Sequence, residues 1–90
     1  MKNNHNIKLC NIALEANKNL IDSEAYEEIS DYINKNNEWG IGIEMLIDIL
    51  CEEESQIEKD QFKKIKEAMK SIGLEKNNRM ETLNNYVKNT

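Results

Sequence analysis

Residues that interrupt or oppose helices are scarce in this 90-residue chain. It contains no proline and three glycines, with one valine and two threonines. Proline breaks helix interiors, and runs of β-branched residues are typical of strands, so nothing in this composition indicates a sheet. Lys, Glu and Leu, which are abundant, are good helix formers. The composition therefore favours an all-α fold.

Long apolar runs and paired cysteines are also missing. No stretch approaches the roughly 18 consecutive apolar residues that a membrane-spanning helix needs, and the first ten residues lack the apolar core of a signal peptide. Cys10 and Cys51 lie far apart with no CxxC spacing, which favours two reduced, buried thiols. We therefore expect a cytoplasmic protein that does not associate with a membrane.

Catalytic and ligand-binding motifs are absent as well. The single His5 lies in a polar segment, and no Gly-rich phosphate loop, zinc motif or calcium loop occurs. Glu44 and Asp48 form a carboxylate pair, but no histidine accompanies them as a second ligand type. We therefore expect no enzymatic activity, no cofactor and no metal.

The net charge of −5 conceals an uneven distribution. Residues 24–60 contain twelve acids and two lysines, a balance of −10, whereas residues 1–23 carry +1 and residues 61–90 carry +4. The three tyrosines are not placed among lysines, so base stacking is not indicated. An acidic middle segment repels nucleic acid and anionic membranes and attracts a basic partner.

The segment at residues 39–53 predicts the helix around which the fold is organised. On a helix of about 100° per residue, Trp39, Ile43, Leu46 and Leu50 fall on one stripe, and other apolar side chains cover most of the circumference. Such a helix must be buried on several sides. We expect one domain over residues 1–90, a compact bundle of four to five helices with this helix buried at its centre.

Start and stop signals delimit the other predicted helices. Asp22 and Ser23 predict an N-cap, Ser55 and Glu58 form an S-x-x-E capping box, and Gly73 fits a C-terminal cap. Gly40 and Gly42 have two explanations, a close approach of a neighbouring backbone or a helix that begins later. The flanking helices are expected at residues 4–21, 23–35, 55–72 and 78–87.

Carboxylates on two helices are the candidate binding residues. Glu44, Asp48 and Glu52 form an acidic strip at i, i+4, i+8 spacing, although like charges at this spacing destabilise a helix. One explanation is a charged face that is simply solvated, and a second is internal neutralisation by a lysine stripe on the following helix. The third is a surface that docks onto a basic cleft. The lysine stripe consists of Lys59, Lys63, Lys66 and Lys70, and the acidic face of the preceding helix consists of Glu24, Glu27, Glu28 and Asp31.

The segment from Asn37 to Ile57 resembles small helical bacterial immunity proteins of the MafI type and of contact-dependent growth inhibition systems (CdiI-type). The likeness covers roughly residues 9–72, and the Gly40-Ile41-Gly42 run departs from its pattern at the start of the central helix. This resemblance implies that Glu44 and Asp48 occupy helix positions that match those of the immunity proteins. The residues that carry it are Asn37, Glu38, Trp39, Gly40, Ile43, Glu44, Leu46, Leu50, Glu52, Glu53, Glu54, Ile57, Phe62, Ile65 and Met69.

This resemblance implies an immunity protein without enzymatic activity. Such a protein binds the C-terminal toxin domain delivered by a neighbouring cell, often a ribonuclease of the tRNase type, and blocks its active site or substrate surface. A basic nuclease surface would suit the acidic residues of this chain. The expected toxin-binding residues are Glu44, Asp48, Glu52, Glu27, Glu28 and Asp31. The alternative is a small helical adaptor or regulatory module that dimerises through the wide apolar face of the first helix.

Overall fold

Five helices account for the fold of residues 2–88, the part of the chain that the computed structural model describes. The predicted all-α class is confirmed, and no described helix is long and apolar enough to cross a bilayer. The predicted domain reaches further, because residues 1, 89 and 90 lie outside the described part. The helices are α1 (Lys2–Ala16), α2 (Ser23–Asn34), α3 (Trp39–Glu52), α4 (Lys59–Ser71) and α5 (Asn78–Asn84).

Helix α3 lies at the centre of the bundle and contacts each of the other four helices. α2 packs along α3, whereas α4 packs mainly along α1. Ile43, Leu46, Ile47 and Leu50 of α3 are fully buried. Trp39 is half-buried against the same core. The prediction of a central helix covered on several sides is therefore confirmed.

Gly42 explains how closely α2 approaches α3. A Cβ atom built at this position would lie 2.9 Å from Cγ1 of Ile33 and 3.2 Å from the carbonyl oxygen of Ile29. At Gly40 a Cβ would meet only the end of the Ile72 side chain, at 3.9 Å. Of the two explanations open for these glycines, close backbone approach holds for Gly42, and the helix begins at Trp39, before either glycine.

The first helix ends earlier than predicted, at Ala16 instead of residue 21, and is followed by a 3₁₀ turn at Lys18–Leu20. Asn17 causes this change, since its side-chain amide donates to the carbonyl of Ala13 at 2.8 Å and competes with the helical pattern. Its backbone N–H bonds Leu14 O at 3.1 Å, three residues back, which tightens the turn.

The segment after α3 also differs from the prediction, because the Ser55–Glu58 capping box does not form. The backbone of Ile57 instead pairs with the C-terminal segment in a parallel bridge to Val87, accepting from Lys88 N–H at 2.9 Å. α4 begins at Lys59, where Gln61 Oε1 accepts the N–H of Glu58 at 2.8 Å. The same bridge ends α5 at Asn84, three residues before the predicted end.

Two predicted caps are present. The Asp22 side chain accepts the N–H of Ala25 at 2.8 Å and begins α2. Gly73 adopts a φ of +78°, and the N–H of Leu74 bonds the carbonyl of Met69 at 2.8 Å, a Schellman arrangement. These local signals are confirmed because residues within five positions of each other supply both partners.

Candidate functional site

The outer side of α2 carries carboxylates that point away from the core. Ile29 and Ile33 are buried on the inner side, while Glu24, Glu27 and Glu28 are exposed. Among residues 4–88, whose side chains the structure describes, these three acids have no ion-pair partner. The α2 acidic face is therefore a solvated, negatively charged surface.

Asp31 belongs to the same face but has a local cation. Lys35 Nζ lies 3.4 Å from Asp31 Oδ1, and the two side chains are 75% and 51% exposed. An exposed i,i+4 pair contributes at most a few tenths of a kcal/mol and is screened by salt. Asp31 therefore remains accessible to a partner.

The acidic strip of α3 is in a different electrostatic state, because Arg79 of α5 binds two of its members. Arg79 Nε donates to Asp48 Oδ1 at 2.8 Å, and Nη1 lies 3.4 Å from Glu44 Oε2. The amide of Asn77 adds a hydrogen bond to Glu44 Oε2 at 3.3 Å. The repulsion expected between carboxylates one turn apart is thus relieved within the fold.

The carboxylates of Asp48 and Glu44 stabilise the charged form of Arg79. The hydrogen bond to Asp48, together with the charges of Asp48 and Glu44, raises the pKa of Arg79 above its ordinary value. The chain contains a single arginine among its twelve basic residues. A guanidinium can donate to two carboxylates at once in a fixed geometry, which a lysine ammonium does not reproduce.

The neutralisation that the sequence left open therefore comes from a residue outside the lysine stripe. In the described part of the chain, none of the four lysines of the stripe pairs with the acidic strip. The reason is the packing, since α4 lies mainly along α1 and contacts α3 only slightly. Sequence reasoning missed Arg79, although its being the only arginine was an available signal.

Glu52, the third member of the acidic strip, lies near the end of α3. It is exposed and has no ion pair within the described range. Glu53 and Glu54 follow it, and Glu54 has a φ of +51° as the chain leaves the helix. Negative charge at a helix C-terminus is unfavourable next to the helix dipole, so these acids gain no stabilisation from the dipole of α3.

The six predicted binding residues do not form one patch. α2 packs on the side of α3 that carries Gly42, and α5 lies on the side that carries Glu44. At 100° per residue these two positions lie about 160° apart around α3. The structure therefore brings Glu44 and Asp48 together around Arg79 and keeps Glu27, Glu28 and Asp31 on a separate surface.

An exposed apolar side chain lies beside the acidic strip on the outer side of α3. Ile41 is 47% exposed and precedes Met45, Asp48 and Glu52 at i+4, i+7 and i+11 on the outer side of α3. Ile41 is not among the binding residues predicted from the sequence, although the helical spacing that groups the acids places it among them. It adds an apolar contact to an acidic surface.

Three aromatic side chains of α2 and α3, Tyr26, Tyr32 and Trp39, are half-buried. Tyr26 donates a hydrogen bond to the carboxylate of Glu15 on α1, and Lys18 Nζ lies 4.7 Å from the centre of its ring. That hydrogen bond, with partial burial and the Glu15 charge, raises the pKa of Tyr26. Tyr32 packs beside Gly42, and Trp39 packs against the core.

The two cysteines are free thiols with different environments. Cys10 is fully buried, and burial raises its pKa to about 11. Cys51 is half-buried, and burial and the Asp48 charge raise its pKa. Among residues 2–88, no three His, Cys, Asp or Glu side chains come together as a metal-binding group.

No protein-family model, curated protein or solved structure matches this chain.

Proposed function

We propose that this chain is a cytoplasmic immunity protein that binds and neutralises a cognate toxin domain. The target is a basic nuclease, a ribonuclease of the tRNase type from a contact-dependent growth inhibition or related polymorphic toxin system. Inhibition is stoichiometric and involves no chemistry, because the protein covers the active site or the substrate surface. The observation that supports this proposal is the α2 acidic face, on which Glu24, Glu27 and Glu28 have no ion-pair partner among residues 4–88 and Asp31 has only an exposed lysine.

The like charges on α2 destabilise the helix, and the exposed Asp31–Lys35 pair offsets only a small part of that cost. Glu24 and Glu28 are one turn apart, as are Glu27 and Asp31. Like charges at this spacing destabilise a helix by about 0.2–0.5 kcal/mol per pair. A basic protein surface would turn this repulsion into attraction on binding.

A nuclease suits this surface because it must itself attract phosphate. Its substrate cleft carries Lys and Arg, which an acidic protein face can engage in place of the nucleic acid backbone. Complementary charge also accelerates association, which matters for an inhibitor that must act before its toxin does. The same carboxylates repel nucleic acid and anionic lipid, so neither is proposed as a direct partner.

We expect the six predicted residues to contribute unequally to binding. Glu27, Glu28, Asp31 and Glu52 are exposed or only weakly paired. Glu44 and Asp48 are held by Arg79 and offer less free charge. We therefore expect charge reversal on α2 to impair inhibition most directly.

The test is coexpression with the polypeptide encoded beside this chain. Growth and total RNA integrity are scored without the chain, with the wild type and with the double variant Glu27→Lys, Glu28→Lys. Glu67→Lys with Glu81→Lys changes net charge equally at exposed positions of α4 and α5 and serves as the control. We expect protection by the wild type and the control and loss of protection by the α2 variant. A harmless polypeptide, or one that kills despite the wild-type chain, would overturn the proposal.

A dimeric adaptor remains the second candidate, favoured by one exposed apolar side chain of α1. Ile12 is 37% exposed in a shallow groove of about 580 Å³ between α1 and α4. Most of the wide apolar surface of α1 is used inside the bundle, since Cys10, Ala13 and Leu14 are buried. Sedimentation distinguishes the two functions, because the adaptor requires a concentration-dependent dimer that Ile12→Asp abolishes.

A further inference from the structure

The first turn of α5 holds Arg79 over the acidic strip. The side chain of Asn77, the N-cap residue, accepts the N–H of Arg79 at 2.6 Å. The amide nitrogen of the same side chain donates to Glu44 Oε2 at 3.3 Å. Asn77 thereby fixes the start of α5 and one of the carboxylates that Arg79 binds.

The docking of α5 has supports other than Arg79. Met80 and Leu83 insert their side chains into the core, with relative exposures of 5% and 0%. Beyond the helix, the bridge to Ile57 and an ion pair from Lys88 to Glu58 at 2.9 Å hold the following segment. The ion pairs of Arg79 are therefore an addition to an apolar attachment and not its basis.

We infer that Arg79 acts as an internal competitor that limits how tightly a basic partner binds to the acidic strip. This inference rests on the proposed function for the identity of the partner, a basic protein surface. A partner cation and Arg79 seek the same oxygens of Glu44 and Asp48. Arg79 thus determines how much free negative charge this side of α3 presents to a partner.

The exposure of the three side chains allows such an exchange. Arg79 is 42% exposed, Asp48 46% and Glu44 26%, so an incoming cation can reach these oxygens from solvent. Exposed ion pairs are weak, and their removal changes an affinity by about two- to tenfold when two contacts are involved. This range defines the expected effect.

The test uses a fluorescently labelled decalysine peptide as the probe and measures its affinity by anisotropy at low ionic strength. Arg79→Gln is compared with Lys66→Gln, which removes the same charge from an exposed position of α4. We expect Arg79→Gln to bind decalysine about two- to tenfold more tightly than Lys66→Gln. Equal affinities would show a net-charge effect only, and weaker binding by Arg79→Gln would show that Arg79 supports the site. Either result would overturn the inference.

A double-mutant cycle separates competition from loosening of α5. In a background carrying Glu44→Gln and Asp48→Asn, Arg79→Gln should no longer change the affinity for decalysine relative to Lys66→Gln. If the gain persists in that background, it arises from release of α5 and the inference fails. These measurements do not involve the neighbouring polypeptide. Failure of the coexpression test therefore removes the immunity function, whereas failure of the cycle removes only the role of Arg79.

Discussion

The outer face of α2 and the acidic strip of α3 carry the same kind of charge in two different states. Both place carboxylates one helical turn apart, on consecutive helices. On α2, Glu24, Glu27 and Glu28 face solvent without a cation in the described part of the chain, whereas on α3 Arg79 binds both Glu44 and Asp48. The spacing of charges along a helix thus locates a polar side without revealing what faces it.

The positions of the two helices in the bundle explain this difference. α2 contacts α1 and α3 and leaves one side in solvent, while α3 contacts all four other helices. A polar residue on the central helix is therefore more often opposite another element than one on a peripheral helix. In this chain that element is α5, which contributes one well-placed arginine.

The largest effect is expected from a substitution that forces α2 and α3 apart. Gly42→Leu places side-chain atoms where Ile33 and the carbonyl of Ile29 already lie. We expect it to lower the free energy of unfolding by about 1–3 kcal/mol, measured by chemical denaturation. Gly40→Ala is the control and should raise stability by about 0.5–1 kcal/mol, because its site is open. Equal effects of the two variants would contradict the close approach of α2.

Charge reversal should change the stability in opposite directions on the two surfaces. Glu44→Lys with Asp48→Lys brings two cations beside Arg79 and should lower the thermal midpoint by several degrees. Glu27→Lys with Glu28→Lys converts two repulsive i,i+4 pairs into attractive ones and should raise the midpoint slightly. Thermal unfolding followed by circular dichroism measures both. The distinction between the surfaces fails if the two variants shift the midpoint alike.

High pH should weaken the attachment of α2 to α1. The pKa of Tyr26 is raised from 10.0 by its hydrogen bond to Glu15, and that of Cys10 from 9.0 to about 11 by burial. The unfolded chain releases these protons first, so the free energy of unfolding falls as pH rises above about 9. Tyr26→Phe should flatten this fall above about pH 10, in denaturation measured at several pH values.

The matched control for this pH dependence is Tyr32→Phe. It removes a phenol from α2 but leaves the Tyr26–Glu15 hydrogen bond in place. We expect its stability to follow the wild-type profile. If the free energy of unfolding of Tyr26→Phe fell with pH as steeply as that of the wild type, this hydrogen bond would not contribute to the pH dependence.

The smallest expected effect is that of salt, which acts on the charged contacts alone. Added salt screens the Arg79 contacts, so the difference in thermal midpoint between the wild type and Arg79→Gln should shrink as ionic strength rises. The difference between the wild type and Lys66→Gln should stay small at every salt concentration. Scanning calorimetry over a salt series measures both. A difference for Arg79→Gln that is independent of salt would indicate lost packing instead of lost charge.

Local sequence signals predicted the parts of the fold whose partners are close in sequence. The Asp22 cap and the Gly73 turn formed as expected, and the central helix begins and ends within one residue of its predicted bounds. The predictions failed at Asn17 and Ser55. Asn17 ended α1 early, and the backbone of Ile57 paired with a segment thirty residues away.

The candidate binding residues divide in the same way into those whose state follows from local sequence and those whose state depends on a distant contact. The exposed carboxylates of α2 follow from helical spacing, since a clean apolar side implies a solvated opposite side. The state of Glu44 and Asp48 depends on a contact 31 residues along the chain, from Asp48 to Arg79. The lysine stripe had the appropriate charge and spacing, but its helix packs elsewhere.

The sequence by itself determined an all-α chain, a central apolar helix and an acidic middle segment. These properties follow from residue type and periodicity, which act within a few turns of one helix. Only the tertiary structure decided which carboxylates remain free, because that depends on the helix packed beside each one. In this protein the close contact at Gly42 sets α2 against one side of α3, and α5 brings Arg79 to the other.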